Sequence, residues 1–198
     1  SLDTHITHIR QVLDKLREHQ LYLKVSKCSF AQLKLDYLGH IISGEGVTTD
    51  PAKTAAMVNW PVPQSVTELR GFLGLTGHYR RFVKHYGLIA KPLTQLLRHR
   101  NFYWSDEAQQ AFDRLKEAMV TTPVLALPNF QESFVVETDA SDIGIGDVLM
   151  QHGQPVAYLS KALGESHKHM SIYEKEFLAL IMAVERWRQY LQQGEFVI

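Results

Sequence analysis

The hydrophobic periodicity of the chain changes at Thr122-Pro123. Between residues 50 and 120 apolar residues recur at spacings of three and four, which is typical of helices. After Pro123, short segments alternate apolar and polar residues and are separated by Gly or Asn, which is typical of strands. There we predict three strands over 134–137, 143–150 and 155–159, then a helix from Ile172 to about Leu191, and a fourth strand over 195–198. One side of that helix carries an apolar stripe of Phe177, Leu180, Ile181, Val184, Trp187 and Leu191. The whole pattern predicts an α+β fold.

The first 49 residues combine a helix with extended segments. Apolar residues follow helical spacing over 4–19, which predicts an amphipathic helix. Alternation predicts strands over 21–25 and 33–42, ended by a turn at 43–46. We therefore expect a helix followed by a β-hairpin.

Capping signals divide the middle of the chain into helices. Asp50 precedes Pro51, Ser65 stands three residues before Glu68 as in a capping box, and Ser105 precedes two acidic residues. Pro61 and Pro63 end the first helix after Trp60, and the second is predicted to break near Gly74 or Gly77. The predicted helices thus cover residues 51–60, 65 to about 74 or 77, 79–97 and 107–120.

The net charge of zero hides a division between the two halves. Residues 1–100 carry 14 Lys and Arg against 7 Asp and Glu, and residues 101–198 carry 7 against 14. A basic half can neutralise phosphates, although chance surface composition is an alternative. No run of about 18 apolar residues is present, so we expect no membrane partner. The single Cys28 excludes an internal disulfide and fits a reducing compartment, so we expect a cytoplasmic or nuclear location.

Two carboxylates near predicted element ends point to metal chemistry. Asp139 ends the strand that begins at Phe134, and the long helix offers Glu174 and Glu176 in its first turns. Glu174 stands three residues after Ser171, where a capping-box partner belongs, whereas Glu176 has no capping role. Carboxylates from a strand and a neighbouring helix can hold two divalent ions, and all-oxygen ligands suit Mg²⁺. The alternative to a metal site is an ordinary surface strand that ends in Asp.

Five motifs occur in an order that resembles the reverse transcriptase–RNase H region of gypsy-type (Metaviridae) LTR retrotransposons. They are LDYLGHII (35–42), LRGFLGLTGHYRRF (69–82), TDAS (138–141), AYLSK (157–161) and YEKE (173–176). The resemblance covers nearly the whole chain. It implies three parts: the end of a palm with a primer-grip-like hairpin (1–49), a helical thumb and linker (50–130), and a partial RNase H-like βββα domain (131–198).

The resemblance also implies roles for individual residues. Leu38, Gly39 and His40 match the primer-grip hairpin, where closely approaching backbone holds the primer end; an ordinary turn glycine is the alternative. Asp139 matches the first RNase H aspartate, and Glu176 precedes an apolar run as the family's catalytic Glu does. Asp139 and Glu176 are therefore the predicted catalytic residues and metal ligands, with Mg²⁺ as the cofactor of the parent enzyme.

A basic segment follows the second motif. Within residues 77–86, Arg80, Arg81 and Lys84 alternate with aromatic residues, an arrangement that can bind nucleic acid. The aromatic residues continue a helical stripe and are interpreted as core, whereas the three basic residues lie off that stripe. They are predicted phosphate contacts, with a solvated surface as the alternative.

Departures from the family pattern limit the predicted activity. The chain has no acidic doublet for DNA synthesis and lacks the later RNase H acids, so we expect it to be inactive alone. Asp147 occupies a position where the family usually has a small apolar residue, and it would point to an apolar face unless that strand end is exposed.

Two functional hypotheses follow. The first is a fragment of an RNA-directed DNA polymerase and two-metal ribonuclease H that binds an RNA–DNA hybrid or duplex weakly. The second is a co-opted host protein that acts as a non-catalytic module, with a protein partner or with a second copy bound through the open RNase H sheet edge.

Overall fold

The structure, a computed structural model, describes residues 1–98, 101–167, 169–192 and 194–198. They form two compact units, Ser1–Leu35 and Asp36–Ile198. The predicted α+β class is confirmed, since the described residues include both helices and sheets. The predicted domain boundaries after residues 49 and 130 both lie within the second unit and stay predictions.

One long helix forms about half of the first unit. Helix α1 (Leu2–Glu18) begins at Ser1, whose hydroxyl accepts a hydrogen bond from the Thr4 N–H at 3.2 Å, so the predicted helix is confirmed. The predicted strand over 21–25 is wrong, because the segment leads into a short 3-10 helix (Val25–Lys27). Its apolar side chains are exposed, and alternation gives a strand only where a neighbouring strand accepts its hydrogen bonds.

The segment predicted as one strand over 33–42 is two strands joined by a tight turn. Strands β1 (Lys34–Tyr37) and β2 (His40–Ser43) flank the turn, and β2 pairs antiparallel with β3 (Gly46–Thr49). The φ angles are 50° at Leu38 and 81° at Gly39, and positive values at both central positions define a type I′ hairpin. The turn was not predicted from the sequence because Leu38 is apolar and continues the alternation of apolar and polar residues.

The predicted caps start the next two helices. Asp50 accepts from the Ala52 N–H at 2.8 Å and starts α2 (Pro51–Val58); Ser65 accepts from the Glu68 N–H at 3.2 Å and starts α3 (Val66–His78). The Glu68 carboxylate accepts from the Gln64 N–H at 2.8 Å and not from Ser65, so the predicted capping box is incomplete. The predicted end near Gly77 is confirmed, since α3 ends at His78, whereas the alternative near Gly74 is wrong because that residue lies inside the helix.

The predicted helix over 79–97 is also wrong. A 3-10 turn (Arg80–Phe82) is followed by α4 (Tyr86–Ile89) and α5 (Lys91–Leu96). The cause is His85, whose φ of 59° is left-handed and cannot continue a right-handed helix. Helix α6 (Asp106–Val120) is capped by Ser105, as predicted.

The hairpin and these helices share one core. Phe72 of α3 and Phe112 of α6 meet with ring centroids 4.6 Å apart. Strand β3 joins them, because the Val47 N–H donates to the Leu125 carbonyl at 2.8 Å. The fully buried members include Met57, Leu69, Phe72, Phe82, Leu93, Phe112, Leu115, Met119 and Leu125.

The second sheet has the strand order β6-β5-β4-β7. Strand β5 pairs antiparallel with both β4 and β6, and β4 pairs parallel with β7. The predicted three strands, helix and fourth strand are confirmed, although the helix divides at Trp187. The elements are β4 (Phe134–Ala140), β5 (Gly144–Gln151), β6 (Gln154–Ala162), α7 (Ile172–Arg186), α8 (Arg188–Leu191) and β7 (Phe196–Val197).

The two faces of this sheet pack against different helices. On one side, here called the α7 face, Val136 and Leu149 share a core with Ala183 and Trp187. On the other, here called the α4 face, the Gly87 N–H donates to the Ser160 hydroxyl at 2.7 Å. Side chains alternate along a strand, so odd and even residues of β4 serve different faces.

The predicted stripe on α7 is partly wrong. Trp187 and Leu191 are buried as expected, but Phe177 and Ile181 are exposed. The residues of α7 that turn inward are Lys175, Ala179 and Ala183, and the two small alanines allow the helix to lie close to the sheet. Among the described residues, no helix has the length and apolar character needed to cross a membrane.

Candidate nucleic-acid interface and carboxylate site

The turn at Leu38 and Gly39 is held by the end of α3. The Tyr79 hydroxyl donates to the Gly39 carbonyl at 2.8 Å, and His78 Nε2 lies 3.2 Å from the Leu38 carbonyl. A Cβ at residue 39 would stand 2.7 Å from the Tyr79 hydroxyl oxygen. Glycine is therefore required by both its positive φ and this close approach.

His40, the third predicted hairpin residue, lies inside a cluster of rings. It stacks on His78 with centroids 5.1 Å apart and on Phe82 at 5.3 Å, and meets Tyr79 edge-on. Burial lowers the pKa of His40, and the neighbouring His78 and Arg81 lower it further, so the imidazole is neutral near pH 7. His40 therefore fixes the hairpin against α3, while the Leu38 side chain remains exposed.

The three predicted phosphate contacts are exposed. Arg80, Arg81 and Lys84 all lie in the segment between α3 and α4. The Arg81 guanidinium lies 5.4 Å from the centre of the Phe82 ring. Tyr79 and Phe82 are buried, which confirms that the aromatic residues of this segment are core. Arg81 thus lies beside the hairpin on a buried aromatic ring, whereas Lys84 lines a cavity that also contains Asp139.

Asp139 lies on β4, on the α4 face. Val136 and Ala140 pack toward α7, so alternation turns Asp139 to the opposite side. Its partner in the register with β5 is Gly146, where a Cβ would stand 2.6 Å from His85 Nδ1. Asp139, His85 and Lys84 line a cavity of about 120 Å³. The exposed Asp139 thus shares this cavity with Lys84 and His85, and also with the acidic residues Glu137 and Asp147.

The two candidate glutamates of α7 have different roles. Glu174 accepts a hydrogen bond from the Ser171 N–H at 2.6 Å, while its own N–H donates to the Ser171 hydroxyl at 3.3 Å. The backbone hydrogen bond from Ser171 holds the pKa of Glu174 below its usual value. The predicted capping box is confirmed. Glu176 is exposed, which leaves its carboxylate accessible.

A buried cation separates these glutamates. Lys175 is 3% exposed, and its Nζ donates to Asp142 Oδ1 at 2.7 Å. This hydrogen bond holds the pKa of the Asp142 carboxyl below its usual value. Asp142 lies two residues after the end of β4, so the pair ties the start of α7 to the strand that carries Asp139.

The carboxylates offer donors of the right chemistry for Mg²⁺ but not a complete cluster. Asp139 and Glu176 provide carboxylate oxygens, which Mg²⁺ prefers. Over the residues that the structure describes, no group of three or more His, Cys, Asp or Glu is placed to hold a metal ion. Asp139 lies on the α4 face, whereas Glu176 belongs to α7, which packs on the opposite face, so the structure does not bring the two predicted ligands together.

Asp147 was absent from the residues predicted to form a site. It is 4% exposed, and neither of its carboxylate oxygens has a hydrogen-bond partner. Burial raises the pKa of Asp147 to about 7, with a further contribution from the charge of Asp139. The alternative of an exposed strand end is wrong. The sequence signal for this site was an acidic residue between Ile145 and Leu149, on a strand whose alternate residues are otherwise apolar.

The structure also assigns roles that sequence reasoning missed. His78 and Tyr79 hold the hairpin turn, and His85 packs against Gly146 with its Nδ1 buried and unpartnered. The positive φ of His85 has no local sequence signal, because histidine follows lysine there without a glycine or asparagine.

Comparisons with known proteins find similarity to reverse transcriptase and retrotransposon proteins. Residues 104–198 match a family model described as an RNase H-like domain found in reverse transcriptase. The Pol polyprotein of transposon 297 from Drosophila melanogaster is 38% identical over 200 residues, which cover 100% of this chain and 19% of the polyprotein. An uncharacterized mitochondrial protein of Arabidopsis thaliana is 54% identical over 132 residues, 66% of this chain and 84% of that protein.

Solved structures share the fold. A foamy viral protease-reverse transcriptase in complex with an RNA/DNA hybrid superposes with a TM-score of 0.88 at 20% identity, covering 99% of this chain and 27% of that one. The same type of protein in complex with dsDNA gives a TM-score of 0.85, covering 99% of this chain and 42% of the other. The chain thus spans about a fifth of the transposon polyprotein and less than half of each viral chain.

Proposed function

We propose that this chain, which belongs to the reverse transcriptase/RNase H-like region of retrotransposon polyproteins, binds an RNA–DNA hybrid or another nucleic-acid duplex. Its fold neighbours include reverse transcriptases in complex with an RNA/DNA hybrid and with dsDNA. The contacts are electrostatic and directed at the phosphate backbone, so binding is weak and independent of base sequence.

One observation carries this proposal: the hairpin turn and the basic segment form one surface. His78 and Tyr79 hold the carbonyls of Leu38 and Gly39, and Arg80 and Arg81 follow them directly. Arg81 is close enough to His40 to lower the pKa of that residue. A duplex backbone that reaches the turn therefore also meets the two guanidinium groups.

We extend this proposal to the type of retrotransposon and to the reaction of its polyprotein. The motif order supports a gypsy-type element whose whole polyprotein copies RNA into DNA and degrades the RNA of the hybrid. Asp139 and Glu176 are the proposed Mg²⁺ ligands of the parent enzyme, in which a bound ion would activate water for phosphodiester hydrolysis. In this chain they belong to opposite sides of the second sheet. These two carboxylates do not make a full two-metal site, so this chain alone is proposed not to cleave the hybrid.

A binding titration tests the proposal. Fluorescence anisotropy with a labelled RNA–DNA hybrid should give an affinity that falls as salt rises. Arg81→Gln should lower the slope of log K against log salt by about 0.9, the contribution of one duplex phosphate contact. Arg70→Gln, an exposed arginine of α3, is the matched control and should leave the slope unchanged. Binding without salt dependence would exclude the phosphate-contact mechanism.

A cleavage assay tests the proposed lack of catalysis. Hybrid substrate and Mg²⁺ are incubated with the chain and with Asp139→Asn, and no RNA products are expected from either protein. Cleavage by the unchanged chain that Asp139→Asn abolishes would show a working carboxylate site and overturn this part of the proposal.

A second candidate function is a non-catalytic module expressed on its own. The Arabidopsis relative favours it, because this region covers 84% of that protein at 54% identity. Such a module would bind a protein partner or a second copy and would show no salt-dependent affinity for the hybrid. The anisotropy titration therefore also separates the two candidates.

A further inference from the structure

Two histidine rings lie stacked between the hairpin and the end of α3. His40 begins β2 and His78 ends α3, and their ring centroids are 5.1 Å apart with an angle of 11° between the planes. Phe82 stacks on His40 with centroids 5.3 Å apart, and Tyr79 meets its edge at 5.4 Å. The His40 imidazole is therefore packed against three rings, which belong to the end of α3 and the turn that follows it.

This packing fits a neutral imidazole better than a charged one. His40 Nδ1 is buried and has no hydrogen-bond partner. In a neutral imidazole one ring nitrogen can remain an unused acceptor, whereas in an imidazolium both nitrogens are donors. Protonation would therefore bury a charged N–H group without an acceptor, which costs more than an unused lone pair.

The groups that face His40 add to this preference. His78 becomes cationic in acid, and Arg81 is always charged. Burial holds the pKa of His40 below its usual value, and these two neighbours lower it further. On the other strands of the hairpin sheet, Tyr37 flanks the same turn and Thr49 pairs with His40. Neither of these side chains carries a charge in acid.

An acidic residue, Asp50, lies near the same cluster at the start of α2. Its carboxylate accepts from the Ala52 N–H at 2.8 Å as the cap of that helix. Burial raises the pKa of the Tyr79 hydroxyl, and the charge of Asp50 raises it further. The charges that shift the pKa of His40, by contrast, are both cationic. A proton on His40 therefore meets like charge.

The same end of α3 holds the hairpin turn closed. His78 Nε2 lies 3.2 Å from the Leu38 carbonyl, and the Tyr79 hydroxyl donates to the Gly39 carbonyl at 2.8 Å. We propose that this contact is an acid-sensitive latch, in which protonation of His40 moves its ring away from His78 and releases the turn from α3. The latch belongs to the free chain, so it goes beyond the proposed function and requires no nucleic acid.

The direction of the pH effect follows from the proton that opening takes up. The released His40 regains the usual histidine pKa of about 6.5, whereas the latched ring has a lower pKa. The closed form is therefore fully favoured above about pH 6.5 and loses this advantage as the pH falls toward the pKa of the latched ring. Within that window the ratio of open to closed chains should rise by up to about tenfold for each pH unit.

Nuclear magnetic resonance can follow the ring and the turn separately. The His40 ring signals report its protonation. The Gly39 and Asp50 amide signals report the turn, because the Asp50 N–H donates to the Gly39 carbonyl at 3.2 Å. Between about pH 8 and about pH 4.5 both sets should change with one midpoint, below about 6.5. Global unfolding is an unsuitable readout, because burial raises the pKa of Asp147 to about 7 and that group titrates in the same range.

Three variants identify the group responsible. His40→Phe keeps a ring for stacking and cannot be protonated, so the Gly39 and Asp50 signals should lose their common transition. His40→Gln also cannot be charged and should lose it too, which provides a second test if the phenylalanine variant does not fold. His8→Gln removes an exposed histidine of α1 and should leave the transition unchanged.

The outcomes decide whether the latch exists. A transition that persists in a folded His40 variant has another cause and would overturn the proposal. The proposal is also wrong if the His40 ring titrates while the turn signals stay constant, or if neither changes down to about pH 4.5. Loss of the transition in the His40 variants, with its retention in His8→Gln, is the result that the latch predicts.

Discussion

Tyr79 donates a hydrogen bond to the Gly39 carbonyl at 2.8 Å, across 40 residues of sequence. The same hydroxyl stands 2.7 Å from the place where a Cβ at residue 39 would lie. The contact couples the hairpin turn to the end of α3, and so to the arginines that follow it. The proposed nucleic-acid binding depends on this coupling.

Gly39→Ala should destabilise the chain by about 2 kcal/mol. The new methyl group meets the Tyr79 hydroxyl, and the φ of 81° is unfavourable for alanine. Gly74→Ala is the control, since that glycine lies inside α3 with no atom within 4 Å of the new Cβ. This control should be stabilising by about 0.5–1 kcal/mol. Urea denaturation measures both, and equal effects would contradict the turn argument.

The stability should fall as pH rises from 5 to 8 because of Asp147. Its pKa is raised to about 7 in the folded chain, so the folded state binds more protons than the unfolded state between pH 4 and 7. The stabilisation from this group is complete below the unfolded pKa and is lost as pH rises through the folded pKa. The expected loss between pH 5 and 8 is about 2.5 kcal/mol.

Asp147→Asn is the control for this pH dependence. The amide has nearly the same shape but does not titrate, so urea denaturation at pH 5 and pH 8 should show a smaller difference than in the unchanged chain. Asp147→Val should raise stability at pH 8, because it removes an unpaired buried carboxylate from between Ile145 and Leu149. An unchanged pH dependence in Asp147→Asn would mean that other groups cause it.

Ser171→Ala should cost about 1 kcal/mol, the usual effect of losing an N-cap hydroxyl. Glu174→Gln should also destabilise α7, since Glu174 accepts from the Ser171 N–H at 2.6 Å. Glu176→Gln should leave the melting temperature unchanged, because Glu176 is exposed and has no cap role. Thermal melts followed by circular dichroism measure all three. A larger loss for Glu176→Gln than for Glu174→Gln would reverse the assigned roles.

Local signals in the sequence predicted the helix starts correctly. Asp50, Ser65, Ser105 and Ser171 all cap the helices that follow them, because a cap depends on residues two or three positions away. The strands of the second sheet were also predicted, since successive residues alternate between its two faces.

Features that depend on distant contacts were not predictable. The Leu38-Gly39 turn carries an apolar residue where a polar one is usual, and its partner Tyr79 lies 40 positions away. The left-handed backbone of His85 interrupts a segment that periodicity alone predicts as one helix up to residue 97. The exposure of Phe177 and Ile181 depends on which side of α7 meets the sheet. The stacking of His40 on His78 likewise requires the fold.

The most direct test of the central claim is the salt dependence of hybrid binding by a triple variant. Replacing Arg80, Arg81 and Lys84 with glutamine removes three exposed cations, of which Arg81 also lies over the buried Phe82 ring. The account predicts a clear slope of log K against log salt for the unchanged chain, reduced by about 2.7 in the variant. Equal slopes for the two proteins would contradict it.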